Sequence, residues 1–434
     1  MPYQHIIDNC LSANIGEGGL SAEALSRGLE AAKPALERLH ASYDSGALPL
    51  LRQPEREDDI AACRHVAANY RARFSDVVIL GTGGSSLGGQ TLYHLVDRGF
   101  GPPPNSPRLH FMDNVDPDSF EALLEAIEPR RCGVVAISKS GSTAETMCQL
   151  LILLPRLIEV VGEDQLPEHV TVITEPTPNP LRRLAERYGL TCIDHDPGVG
   201  GRFSVLSVTG VLPALIAGLD VVKLRQGAGQ VLRSALDAAT PEAVAPAVGA
   251  AIAVGLLRER QITQTVLMPY VDRLGSFGLW YRQLWAESLG KDGSGTTPIR
   301  AQGAVDQHSQ LQLYLAGPRD KMFTTIQLKV ANQYDNVDPA LVDDEALAYL
   351  RGRGLGDLLD AMARATAETL ARNGRPVRVI GLEALDETVM GALFMHFMLE
   401  TIIAAALLGV DPFDQPAVEE GKVLARQYLS EMKS

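Results

Sequence analysis

Three short segments carry a carboxylate, an imidazole and an ammonium group: Trp285-Ala-Glu-Ser-Leu-Gly-Lys291, Asp306-Gln-His308 and Asp414-Gln-Pro-Ala-Val-Glu-Glu-Gly-Lys422. Two upstream segments, 81–89 and 138–146, are rich in the glycines and hydroxyls that can surround a phosphate. Together the five suggest acid–base chemistry on a phosphorylated substrate. Any one alone says little, because Glu, His and Lys are common.

The first loop, Gly81-Thr-Gly-Gly-Ser-Ser-Leu-Gly-Gly89, follows a β-branched run and precedes a helical pattern. Glycine lets the backbone turn tightly and approach an anion, and the N–H groups that open a helix are unpaired. No Gly-Lys-Ser/Thr follows at the spacing of a nucleotide P-loop. A dinucleotide fingerprint also fits poorly, since Asp97 and Arg98 arrive with no second strand before them. The competing reading is a turn that serves packing alone. The second loop, Ser138-Lys-Ser-Gly-Ser-Thr143, also ends a strand-like run and opens a helix. One hydroxyl suffices to cap a helix. Four hydroxyls and the Lys139 ammonium, at the carboxyl end of a parallel strand, better suit a dianionic phosphate.

Residues 279–290 read as a helix on which Gln283 and Glu287, four apart, project from one face. Two tryptophans and several apolar positions precede Glu287, so partial desolvation of a general base is expected. The plain alternative is a solvated carboxylate at a helix end, paired with Lys291. Arg202 lies in Gly200-Gly-Arg-Phe-Ser204, where glycines let a guanidinium approach a ligand closely and offer fixed charge to a developing oxyanion. His308 sits in a polar run. It is either a structural hydrogen-bonder or a group that exchanges protons near neutrality.

These residues need scaffolds. Short β-branched runs at 76–80, 108–112, 133–137 and 169–173 alternate with helical patterns, which predicts a parallel sheet covered on both faces. Right-handed crossovers make it doubly wound. Ala-, Leu- and Val-rich helical sequence at 212–259 suits a connection. Strand runs return at 263–268, 322–328 and 376–380, with a helix expected over 343–372. The expected organisation is α/β: an N-terminal helical segment (1–70), a first doubly wound domain (71–220), a helical connection (221–262), a second doubly wound domain (263–416) and a C-terminal helix (417–434).

A net charge of −14 argues against a nucleic-acid partner, which requires a basic face. It also requires that any phosphate site concentrate its donors locally. Five scattered cysteines, with no C-x-x-C pair, suggest neither a disulfide framework nor a zinc site. The first residues lack the basic-then-apolar order of a secretory signal, and apolar runs such as 401–408 fall short of the roughly 20 residues that span a bilayer. A cytoplasmic enzyme without membrane association is expected.

The segments GTGGSSLGG, SKSGSTAET, GGRFSVLS, QLWAESLGK, DQHSQLQ and PFDQPAVEEGK resemble, in order, the signature segments of the glucose-6-phosphate isomerase family, built from two tandem sugar-isomerase domains. The resemblance runs from about residue 80 to Lys422. It implies interconversion of D-glucose 6-phosphate and D-fructose 6-phosphate, a step of glycolysis and gluconeogenesis, through a cis-enediol and without a metal or organic cofactor. By the same resemblance Glu287 is the base between C2 and C1, and Arg202 steadies the intermediate's charge. His308 and Lys422 open the sugar ring, with Glu145 orienting the imidazole. His308 is supplied by the neighbouring subunit of a homodimer. Ser138, Ser140 and Thr143 hold the phosphate, supported by Lys139, Gly84 and Ser85, while Gln283 and Gln415 line the sugar pocket.

Thr82, where the family more often has Ile, and Ala417, where it usually has Gly, depart from the pattern without touching these groups. Two rivals remain: an isomerase that also accepts mannose 6-phosphate, and a non-catalytic sugar-phosphate sensor. A sensor has no need of a base or a ring-opening pair. A glutamine-dependent glucosamine-6-phosphate synthase lacks support, because no N-terminal cysteine nucleophile precedes the sugar domains.

Overall fold

A computed structural model describes residues 1–102 and 104–432. Pro103, within the expected first domain, and residues 433–434 of the expected C-terminal helix lie outside the described residues. Among the described residues ten strands form two sheets: β1 (Gln4–Ile6), β2 (Asp76–Leu80), β3 (Arg108–Met112), β4 (Cys132–Ile137), β5 (Val170–Thr174), β6 (Thr191–Asp194), β7 (Gln264–Pro269), β8 (Thr297–Arg300), β9 (Lys321–Leu328) and β10 (Val377–Leu382).

The first sheet has order β3-β2-β4-β5-β6 and is parallel throughout. Every residue of β4 and β5 is buried, as expected for strands covered on both faces. From β2 the chain steps to β3 on one side and returns to β4 on the other. The strand order therefore reverses at the β2–β4 pair. Ligands bind outside the carboxyl ends of such a pair, and the two hydroxyl- and glycine-rich loops follow these strands.

The second sheet, β1-β10-β9-β7-β8, repeats this winding, with β7 flanked by β8 and β9. Its far edge is closed by β1, antiparallel to β10 with His5 opposite Ile380. The N-terminal segment is thus not helical alone. Three residues are too few to show alternation, and their partner lies more than 370 positions away. The four-residue strands β6 and β8 escaped the sequence pattern for the same reason of length. The helix expected over 343–372 is two pieces, a 3-10 turn Glu345–Leu350 and an α-helix Leu355–Arg372. They are separated by Gly352 and by Gly354, whose N–H donates to Asp357 Oδ2 (3.1 Å).

Helix Glu387–Leu408 is the axis of the molecule. It has 22 residues, including an 18-residue stretch of mean hydropathy 1.8, long and apolar enough to cross a membrane, but 83% of that stretch is buried inside the protein. Helices Val221–Leu236 and Ala245–Arg260 pack along it, so the sequence expected to connect two domains forms the central layer of the core. Glycines allow the approach: a Cβ on Gly227 would lie 1.8 Å from the Thr388 carbonyl oxygen, and one on Gly391 1.7 Å from that of Leu224. The same helix carries buried His396 and Glu400, and Glu400 accepts two bonds from Arg378 at 2.9 and 2.8 Å.

Helix Gly275–Leu289 lies between the sheets, packed on β8, on helix Leu87–Tyr93 and on helix Glu387–Leu408. Phe277, Trp280, Tyr281, Leu284 and Trp285 are buried, which fixes the helix's rotation and turns Gln283 and Glu287 toward the first sheet's loops.

Candidate active site

The loop after β2 reaches the turn Gly201–Leu206 at van der Waals limit. A Cβ on Gly84 would lie 2.2 Å from the carbonyl carbon and oxygen of Gly201 and 2.7 Å from the Arg202 nitrogen, so only glycine fits. The Ser204 hydroxyl donates across this contact to the Gly84 carbonyl (3.3 Å). The neighbouring Gly83 faces the carboxamide of Gln283, whose Nε2 would stand 2.8 Å from a Cβ placed there. These contacts seat the loop, the turn bearing Arg202 and the helix bearing Glu287 against one another.

At their meeting point Gln283 Nε2 donates to Glu287 Oε1 (3.1 Å), and Glu287 Oε2 accepts from Arg202 Nη1 (3.3 Å). The Glu287 side chain is 33% exposed and that of Arg202 3%, so the carboxylate is partly withdrawn from solvent beside a buried cation. Arg202 is engaged on every side: Nε to Ser288 Oγ (2.9 Å), Nη1 also to Gln415 Oε1 (2.6 Å), and Nη2 to the carbonyls of Pro412 (2.5 Å) and Asp414 (2.9 Å). Burial lowers its pKa, opposed by the negative charges of Glu287, Asp414 and Asp411. A group that starts so far above neutrality remains a cation. The Gln283 Oε1 atom is buried and has no hydrogen-bond partner among the described residues.

The loop after β4 stands beside the first, since a Cβ on Gly81 would lie 3.2 Å from the Ile137 carbonyl oxygen. Ser138 Oγ and Thr143 Oγ1 are 2.8 Å apart, and Ser140 Oγ and Ser142 Oγ 3.2 Å. Helix Ala144–Val161 starts after Thr143, whose side chain makes no capping bond. The Thr143 hydroxyl therefore does not serve as an N-cap, while the Ser138 and Ser140 hydroxyls accept within the loop from the Thr143 N–H (3.4 Å) and the Ser142 N–H (3.3 Å). Lys139 Nζ is turned to the Pro197 carbonyl (2.8 Å) and to Glu175 (3.6 Å).

The structure thus joins Gly84, Gln283, Glu287, Arg202 and Gln415 in one contact network, with Ser85, Ser138, Ser140 and Thr143 in adjoining loops. Lys139 belongs to the second loop but is turned to Pro197 and Glu175, and three further residues lie outside both the network and the loops. His308 is exposed on the turn that follows Val305–Gln307 and makes no side-chain hydrogen bond among the described residues. Glu145 is exposed in the first turn of its helix. Lys422 Nζ pairs with Glu419 (2.7 Å) on the exposed helix Glu419–Glu431. Lys291 does not pair with Glu287. It reaches Ser288 O and Asp414, which removes the plain alternative considered for Glu287. Sequence reasoning missed Ser288 and the Pro412 and Asp414 carbonyls. A serine next to the base was a readable hint, but backbone carbonyls have no sequence signature.

Two doubly wound sheets, with anion-type loops at the switch point of the first and a carboxylate–guanidinium pair between them, define the class of tandem sugar-isomerase proteins. Residues 60–434 match the family described as phosphoglucose isomerase. The chain is 39% identical over 411 residues to the glucose-6-phosphate isomerase of Rubrobacter xylanophilus, covering 94% of each. It is 37% identical to that of Thermus thermophilus, covering 94% of this chain and 97% of the relative. A crystal structure of a hypothetical protein, TT0462, from Thermus thermophilus superposes with a TM-score of 0.87 at 35% identity, covering 98% of this chain and 99% of that one. A glucose-6-phosphate isomerase structure from Chlamydia trachomatis shares the fold, with a TM-score of 0.78 at 22% identity over 99% of this chain and 93% of that one. The chain belongs to the phosphoglucose isomerase family.

Proposed function

We propose that the chain is an aldose–ketose isomerase that interconverts D-glucose 6-phosphate and D-fructose 6-phosphate. The observation that carries this reading is the Gln283–Glu287–Arg202 chain of contacts beside the two loops: a carboxylate held next to a buried, fixed cation. In the open aldose, Glu287 takes the C2 proton. The electrons of that bond form C1=C2, and the carbonyl oxygen at C1 gains negative charge, giving a cis-enediol on protonation. Returning the proton from Glu287 to C1 while O2 becomes a carbonyl completes the ketose. The reaction is redox-neutral within the substrate, so it calls for no external electron carrier.

Arg202 supplies charge to the oxyanion, and its buried contacts mean that little reorganisation accompanies the charge shift. Ser138, Ser140 and Thr143, with Lys139, Gly84 and Ser85, take the phosphate. Gln283 and Gln415 face the sugar, and the unpartnered Gln283 oxygen suits one of its hydroxyl donors. His308 and Lys422 open the ring, with Glu145 orienting the imidazole. The exposed His308 suits a residue that completes the site of a neighbouring subunit, so the active species is a homodimer. We place the two α/β domains at 71–220 and 263–416 and the protein in the cytoplasm. The deciding experiment is a coupled assay of purified protein in chelator, following fructose 6-phosphate to glucose 6-phosphate, with mannose 6-phosphate alongside. Turnover of the fructose ester is expected. Phosphate-sugar binding without turnover of either ester would sink the enzymatic reading in favour of a sensor.

A further inference from the structure

Residues 411–415 form a strap without regular secondary structure. It links helix Glu387–Leu408 to the turn Pro416–Val418 and helix Glu419–Glu431, and so delivers Gln415 and, farther on, Lys422. Arg202 grips the strap through the Pro412 and Asp414 carbonyls and the Gln415 side chain. A second cation grips it from another side. Lys291 Nζ donates to the Ser288 carbonyl (3.1 Å) and to the Asp411 carbonyl, and stands 3.1 Å from Asp414 Oδ1. Its side chain is 11% exposed. Lys291 lies two residues beyond the helix that carries Glu287, so its ammonium ties the base's own helix to the strap.

The strap is further shaped by the Phe413 N–H, which donates to Asp411 Oδ1 (2.8 Å), and by the Phe413 ring, 5.4 Å from that of Phe203. Were Arg202 its main polar anchor, each displacement of the strap would pull on the guanidinium that touches Glu287. A separate ammonium on Asp411 and Asp414 decouples the two tasks.

We propose that Lys291 is a positioning residue that pins the 411–415 strap to the Glu287 helix, so that Gln415 and Lys422 are presented while Arg202 keeps its place beside Glu287. This inference rests on the isomerase reading. Its test compares full-length wild type, Lys291→Met and Lys291→Arg by kcat and KM for fructose 6-phosphate and by amide hydrogen exchange. Methionine keeps the length of the side chain and removes the charge. It is expected to lower kcat by about tenfold or more with KM altered less than about threefold, the pattern of misplaced rather than missing groups. Amides of the strap should exchange at least about tenfold faster while those of helix Glu387–Leu408 keep their protection. Lys291→Arg should restore most of both.

A Lys291→Met kcat within about twofold of wild type, or unchanged exchange in the strap, would overturn the proposal. So would faster exchange throughout the core, which would make Lys291 a general structural support. Wild type that fails to turn over the sugar counts against the isomerase reading instead, and the exchange arm still reports on the strap.

Discussion

A base must be close enough to its proton and free enough to move it, and Glu287 meets both conditions by sharing its two oxygens. One accepts from Gln283 and the other from Arg202, at 3.1 and 3.3 Å, distances that hold the carboxylate's plane without saturating its lone pairs. Glu287→Gln keeps the shape and the bond to Gln283 but cannot accept a proton from carbon. Substrate binding should persist while kcat falls by roughly 10²- to 10⁴-fold; near-normal kcat would remove Glu287 from the role. Arg202→Lys tests geometry rather than charge. One ammonium with three donors cannot replace a planar fork that spans Ser288, Glu287, Gln415 and two carbonyls. Turnover should drop by about 10²- to 10³-fold, the scale of a lost oxyanion donor. Full activity in the lysine variant would show that only the charge matters. Glu287, Arg202 and Gln283 could be picked from the sequence because their types and spacing state a chemistry. Ser288 and the strap carbonyls could not, because their contribution is a position reached only after residues 202, 288 and 412–415 are folded together.

Strand β1 shows how an element of three residues is secured by long-range polar contacts. The Tyr3 hydroxyl donates to His396 Nδ1 (2.6 Å) while His396 Nε2–H donates to Glu400 (2.9 Å), an arrangement that satisfies a neutral imidazole at both nitrogens. Burial lowers the pKa of His396 and, helped by the charge of Arg378, that of His5 to about 2. Burial pushes the Glu400 carboxyl up, but Arg378 and the His396 hydrogen bond outweigh it and hold the group at about 2. In the unfolded chain these histidines titrate near 6.5. Below that pH the unfolded state takes up protons that the native state refuses, so stability is lost as pH falls from about 6.5. Glu400 adds to the loss only below about 4.5. Between pH 6.5 and 5, His5→Gln should flatten the stability profile by up to about 1.4 kcal/mol per pH unit. Urea titrations at fixed protein concentration measure this, and parallel profiles for wild type and variant would refute it. The strands of the first sheet were legible because β4 and β5 are buried throughout and read as unbroken β-branched runs. β1, with both ends exposed and only His5 half-buried, gives no such signal, and β6 and β8 are too short to give one. The role of residues 221–260 as central core rather than connection was hidden because the apolar faces of helices Val221–Leu236 and Ala245–Arg260 say that they are buried but not by what.

At the scale of the molecule, the proposed role of His308 calls for a second chain. His308 is exposed and makes no side-chain hydrogen bond among the described residues, Glu145 is exposed, and every residue of helix Glu419–Glu431 is exposed, including Val423 (60%) and Leu429 (62%). Apolar side chains gathered on an exposed helix mark a protein contact, and a second copy of the chain is the partner that the proposed role of His308 requires. In the proposed two-fold dimer each His308 would stand beside the partner's Glu287 and the reverse, so the two residues of one working site would come from different chains. That geometry has a consequence no single mutant reveals. His308→Ala and Glu287→Gln homodimers should each be nearly inactive. When the two chains are co-expressed, a mixed dimer has one site bearing both substitutions and one bearing neither. With random pairing about half of the dimers are mixed, so about a quarter of the wild-type activity should return. If His308 serves its own chain, every site in the mixed dimer contains one substitution and activity stays at the level of the mutants. Purification of the mixed species with two different tags separates the outcomes without reliance on the pairing ratio: about half of the wild-type kcat per dimer for the crossed arrangement, and essentially none for the uncrossed one.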